Sequence, residues 1–182
     1  LAVALVALTL IAYYPAIRGG FIWDDDRYVT DNALLRSVDG LGKIWFKPGA
    51  TIQYYPLVFT TFWIERHLWG LAPAGYHVVN VVLHAASAFL VYLIMRGLAV
   101  RGAVVVALLF ALHPVHVESV AWITERKNVL SGLFYLAAAF VYLRANGWLT
   151  SADARPSPRA YAATLALFAC ALLSKTVTAT LP

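Results

Sequence analysis

From Val78 to Met95 the chain runs for eighteen residues without an aspartate, glutamate, lysine or arginine, and that run limits what the chain can become. A segment this apolar satisfies its backbone by coiling into a helix, and about twenty such residues cross the hydrocarbon of a bilayer. Further apolar runs fall at Leu1 to Ile17, Gly102 to Leu112, Val129 to Leu143 and Tyr161 to Leu173, with nearly all charge in the turns between them. With 62% of the 182 residues hydrophobic and 13% charged, the composition is that of a membrane protein and excludes an ordinary water-soluble domain. The expected fold class is all-α, a multi-pass transmembrane bundle of about five helices in this fragment. Their expected limits are residues 1–17, 77–96, 102–113, 128–144 and 160–174, with a long first loop at residues 18–76.

Several of these runs are shorter than a bilayer requires. The third stops at His113-Pro114, where proline removes a backbone donor and clashes with the turn before it, so this helix is expected to break inside the membrane beside a water-filled cavity. Basic residues concentrate in the short turns Arg96 to Arg101 and Arg144 to Arg159, which reads those turns as cytoplasmic and the first loop as non-cytoplasmic. The chain opens at Leu1 without a basic n-region or cleavage site, so its first run is expected to be a cropped transmembrane helix and the whole the N-terminal part of a longer protein. Inside the first loop, Leu34, Leu35, Val38, Leu41, Ile44 and Trp45 recur at helical spacing after Thr30-Asp31-Asn32, predicting a capped interfacial helix. Pro56 to Trp69 predicts a second, rich in aromatics. A single cysteine, Cys170, excludes an internal disulfide. The 14 basic residues against 9 acidic are scattered, not gathered on one face, which excludes nucleic acid as a partner and leaves membrane lipid or a phosphate-bearing substrate.

Two clusters carry candidate chemistry. Asp24, Asp25 and Asp26 stand together just beyond the first apolar run, where crowded carboxylates suit a general base or a metal ligand; the bland alternative is a solvated acidic loop. The second cluster is His113, His116 and Glu118, followed by Glu125-Arg126-Lys127-Asn128. Its histidine spacing is not that of a helical zinc pair, so its basic residues are better read as counter-charges for a departing phosphate, against the alternative of lysines and arginines snorkelling at a helix end. His77, Asn80, His84 and Ser87 form one polar stripe on the second span, facing either a cavity or a neighbouring helix. Lys175 lies at a helix exit on the same expected side as Asp24.

The order Phe21-Ile22-Trp23-Asp24-Asp25, Tyr54-Tyr55-Pro56-Leu57, Gly75-Tyr76-His77-Val78-Val79-Asn80 and Phe110-Ala111-Leu112-His113-Pro114-Val115-His116-Val117-Glu118 resembles the transmembrane and tetratricopeptide-repeat-containing protein family. Ser174-Lys175 echoes that family's lysine-containing exit motif. The sequence departs from the animal pattern at Asp26, a third acid, and before Pro56, where a basic residue is expected. The resemblance implies a GT-C-like membrane glycosyltransferase of inverting type, moving mannose or another hexose from a polyprenyl-phosphate donor to a Ser or Thr hydroxyl of a protein acceptor. It implies Asp24 and Asp25 as the acidic pair of the first loop, the expected catalytic carboxylates; on that scheme Arg126, Lys127, His113, His116 and Lys175 are read as donor-phosphate ligands, and Glu118 and Asp26 as acceptor- or metal-orienting groups. A divalent metal, magnesium or manganese, is the candidate cofactor, with Asp25 and Glu118 as its ligands. Grooves around Trp63, Trp69 and Trp122 are expected to seat the prenyl tail, and the family's repeats to lie beyond Pro182. An alanine- and arginine-rich composition suggests a bacterial inner membrane with the site facing the periplasm. A non-catalytic scaffold is the competing reading and a transporter the third, the latter without the inverted-repeat symmetry that would favour it.

Overall fold

The structure, a computed structural model, describes residues 2–149 and 157–180. Nine helices order the described chain: α1 (Ala2–Ala12), α2 (Tyr14–Ile17), α3 (Val38–Phe46), α4 (Pro56–Trp69), α5 (Pro73–Gly97), α6 (Ala103–Leu112), α7 (Val117–Ala121), α8 (Arg126–Ala145) and α9 (Pro158–Ser174). Short 3-10 and π turns join them, and no strand occurs among the described residues.

Among the described residues two helices are long and apolar enough to cross a membrane. These are α5, whose 25 residues reach about 37 Å, and α8 together with its leading turn, Ile123–Ala145. A third crossing results if α6 and the segment Pro114–Ala121, bent by 44° at their junction, are taken together. Length and composition thus give two or three crossings among the described residues, and the expected five is not confirmed. Two further apolar helices are shorter. The first helix stops after 11 residues at Ala12, and Pro15 restarts it as a separate turn because proline cannot donate into the preceding ladder. α9 holds 17 residues and ends where Lys175 becomes extended. At the α6 break His113 takes ψ 131°, the extended conformation that a following proline imposes.

α5 is the central post, packed by α1, α6 and α8, and α9 lies along α8. Where α1, α5 and α6 meet, Leu5 is buried against the small side chains Ala88, Ala107 and Ala111, with Phe89, Tyr92, Leu108 and Phe110 around them. Small residues let helix backbones approach closely in a medium that offers no hydrophobic drive between them. The first loop is built otherwise. Tyr28, Val29, Leu35, Ile44, Val58, Phe59 and Phe62 form an aromatic core that closes onto Tyr76 of α5 and onto Ile123 and Leu130 at the start of α8. α4 is thus a core element of a folded loop, not only a helix resting at the membrane surface.

The single capped helix expected from Leu34 is two pieces. Asn32 accepts from the Leu34 amide and caps a 3-10 turn at Ala33–Arg36; Ser37 then goes extended and accepts from the Gly40 amide to cap α3. A side chain at Gly40 would overlap the Leu34 backbone, so the turn and α3 meet at a distance only glycine permits.

Candidate functional site

α8 begins with Arg126 and Lys127, neighbours in sequence that a helix turns about 100° apart, and each organises a different polar network. Arg126 is fully buried. Its Nη1 and Nη2 pair with both oxygens of Glu65 at 2.9 and 3.0 Å, Nη1 also donates to Thr61 Oγ1 at 3.1 Å, Nη2 to the Tyr76 carbonyl at 2.9 Å, and Nε to Asn80 Oδ1. A guanidinium has five N–H groups, and all five are engaged. Phe62 lies 5.0 Å from the guanidinium carbon. Burial pushes the Glu65 carboxyl up from the usual carboxylate range, and the Arg126 charge and hydrogen bonds pull it back. Asn80 completes the unit by donating to the Trp122 carbonyl at 3.0 Å, which locks α5 to the segment ahead of α8.

Lys127 turns toward the loop. Its ammonium pairs with Glu125 at 2.6 Å and lies 5.6 Å from the Tyr28 ring and 6.0 Å from that of Trp122. Asn128 donates to the other Glu125 oxygen and to Ser119 Oγ of α7, while its own carbonyl oxygen accepts from Lys175 at the end of α9. Lys127, Glu125, Asn128 and Lys175 thus form one chain joining the start of α8 to the end of α9. Each ammonium has three donors and uses one here, so the chain keeps cationic capacity that Arg126 lacks.

The acidic triplet divides. Asp25 is fully buried and fully committed, its Oδ2 accepting from the Ile22 amide at 2.9 Å and its Oδ1 from the Thr124 amide and hydroxyl at 2.9 and 2.5 Å. Asp25 fastens the first loop to the turn leading into α8. Asp24, its neighbour, is exposed. Tyr28 is buried beside the Lys127 ammonium: burial first, then the charges of Asp24, Tyr55 and Glu125, push its phenol up to about 12. The phenol therefore stays protonated and donates to Gln53 Oε1 at 2.8 Å. Asp26 is exposed and accepts from Thr30 Oγ1 at 3.2 Å.

No protein-family model matches the chain, and no solved structure does. Protein O-mannosyl-transferase Tmtc1 of Drosophila melanogaster is 32% identical over 149 residues, covering 76% of this chain and 17% of the relative. Protein O-mannosyl-transferase TMTC4 of Homo sapiens is 31% identical over 164 residues, covering 76% and 22%. Tmtc2 of Drosophila melanogaster, with the same enzyme name, is 32% identical over 181 residues, covering 93% and 19%. The aligned stretch is TMTC-family sequence. The chain spans about a fifth of the length of these TMTC relatives. All three come from animals, and the expected bacterial inner membrane finds no support in them.

The structure brings together some of the residues that the TMTC resemblance singled out and separates others. Lys127 and Lys175 share one network, and the loop bearing Asp24 is pinned beside it through Asp25 and Thr124. Arg126 is not available to a phosphate, because every N–H it owns is spent inside the protein. His113 is exposed, its Nδ1 accepting from the Val115 amide. His116 packs on the rings of His84 and Phe110, at 5.0 and 4.6 Å. Glu118 is exposed on α7. Among the described residues no hydrogen bond or ion pair joins these three to the Lys127 chain. The stripe on α5 is buried: Asn80 serves Arg126, His84 Nε2 donates to the Ala111 carbonyl at 3.1 Å, and Ser87 donates to Leu83. Trp63 donates to the Ser37 carbonyl and Trp69 meets Tyr76 edge-on, whereas Trp122 packs against Trp23, so the three tryptophans have separate partners. A cleft of about 570 Å³ opens instead between α8 and α9, lined by Ala138, Ala139, Tyr142, Leu143, Tyr161 and Phe168 among others.

The donor set does not fit a metal. Both Asp25 oxygens are satisfied by protein donors, and no group of three His, Cys, Asp or Glu side chains converges among the described residues. Glu125 and Asn128 are the members that sequence reasoning left without a role. Their signal was weak: two polar residues inside a charged run, given meaning only by Lys175, which lies 47 residues further along the chain.

Proposed function

We propose that this chain is the donor- and base-bearing part of a GT-C-type, inverting membrane glycosyltransferase that moves a mannosyl group from a polyprenyl phosphate to a Ser or Thr hydroxyl of a protein acceptor, on the non-cytoplasmic side. What supports the reading is that the Asp25–Thr124 hydrogen bonds and the Trp23–Trp122 contact fasten the loop bearing the exposed Asp24 to the turn leading into α8, whose Lys127 is linked through Glu125 and Asn128 to Lys175. The enzyme names of the TMTC relatives support it.

The chemistry asks for what that arrangement offers. A hydroxyl is a poor nucleophile until a base takes its proton, and Asp24 is the carboxylate free to do so. The acceptor oxygen bonds to the anomeric carbon as the carbon–oxygen bond to phosphate breaks, and the bonding pair leaves on the phosphate. Lys127 and Lys175 stabilise the negative charge that grows there. Attack opposite the leaving group inverts the anomeric centre. Asp25 touches no reactant in this scheme; it positions Asp24 by holding the loop to Thr124. The prenyl tail lies in the α8–α9 cleft, since Ala138 is ten residues and about 15 Å along α8 from Asn128, on the helix pair that carries both lysines. No step is routed through a metal.

The test is glycan transfer by membranes carrying the full-length protein. Asp24→Asn is expected to abolish transfer while leaving the protein folded and inserted. Wild-type transfer by a folded Asp24→Asn protein would refute the base assignment.

A further inference from the structure

Trp23 has a backbone that its side chain does not favour. Its φ is +48°, in the left-handed region that a bulky residue occupies only if its surroundings enforce it. The enforcement is visible. The Asp25 amide donates back to the Ile22 carbonyl at 3.0 Å and the Ile22 amide donates to Asp25 Oδ2 at 2.9 Å, so the residues on either side are tied together and Trp23 is turned outward between them. Burial does not compensate the strain, because Trp23 is 75% exposed. Its ring meets Trp122 at 5.1 Å and 80°, and the Trp122 Nε1 is buried without a hydrogen-bond partner. Beyond Trp122 comes the Lys127 ammonium. An open indole, an unpaired indole N–H and a cation therefore follow one another beside Asp24.

We infer that Trp23 is the platform on which the sugar ring of the donor stacks, an inference that rests on the donor reading above. A pyranose presents an apolar C–H face and an equatorial belt of hydroxyls, and an aromatic face with a polar group beside it complements both. A glycosyl phosphate adds an anion at one end of the ring, where Lys127 stands. A hydrocarbon tail would make use of the indole but of neither the N–H nor the cation.

The experiment measures binding of two probes to the full-length protein in lipid nanodiscs: polyprenyl-phosphate mannose and sugar-free polyprenyl phosphate. Trp23→Gly removes the ring and adopts φ +48° without strain, so the turn survives. It is expected to weaken the sugar-bearing probe about tenfold, with the sugar-free probe changed less than about twofold, and Trp23→Phe to restore most of the loss. Equal weakening of both probes would make Trp23 an interfacial anchor and overturn the platform. So would no weakening of either by Trp23→Gly while Lys127→Ala weakens both, a result that leaves the donor reading standing. Binding of neither probe by the wild-type protein would overturn the donor reading and the platform with it.

Discussion

The pairs Arg126–Glu65 and Lys127–Glu125 are one residue apart on α8, similar in charge and length, and opposite in consequence. The first is sealed, with 0 and 4% of its side chains exposed and every guanidinium proton engaged. The second keeps 14 and 12% exposure and an unfinished donor set. A buried pair holds because each charge is the other's solvent, so it is costly to break and offers nothing to a ligand. A pair that keeps some exposure and donors to spare is weaker as a fastening and more useful as a site.

Breaking the sealed pair should have the largest effect. Arg126→Ala or Glu65→Ala strands the partner's charge and is expected to cost about 3–5 kcal/mol, read as loss of the monodisperse peak in size-exclusion chromatography. The double substitution Arg126→Met with Glu65→Leu should recover much of it. Survival of either single variant at wild-type melting temperature would erase the contrast. Next come the lysines. Lys127→Ala and Lys175→Ala each remove a charge-assisted contact of about 1.5–3 kcal/mol from the reacting complex, so transfer should fall on the order of 10- to 100-fold while the melting temperature moves only a few degrees. Asp25→Asn, which weakens three hydrogen bonds but leaves Asp24 in place, should cost about 1–2 kcal/mol in stability, with Thr124→Val matching it in part. A double-mutant cycle on those two residues reads their coupling directly. The smallest effect is expected at Lys43, whose bridge to Asp39 joins side chains 47 and 74% exposed; Lys43→Ala should change stability by about 0.3 kcal/mol in a thermal melt.

The same contrast explains what could be read from the sequence. The runs that became α5 and α8 were legible because an apolar stretch of that length has few ways to satisfy its backbone. Pro114 marked the break after α6 for a similarly local reason. The division of labour at Arg126 and Lys127 was not legible, since it depends on Glu65 and Asn80, which lie 61 and 46 residues away and meet Arg126 only in the fold. Asp24 and Asp25 looked alike in a run of three acids; Thr124, 99 residues on, is what makes one of them structural. The aromatic core of the first loop was hidden because Tyr28, Phe59 and Phe62 follow no single period across its turns. The strain at Trp23 has no compositional trace at all.

The Asp25–Thr124 fastening also dictates an order of events during synthesis. At about 5–20 residues per second, the ribosome needs on the order of 5–20 s to deliver Thr124 after Asp25, and throughout that interval the first loop lacks this anchorage. Glu65 meanwhile waits as a hydrated anion for a guanidinium not yet translated. The loop thus acquires its last fastening, to the turn ahead of α8, only after the whole of α5 and α6 has been made.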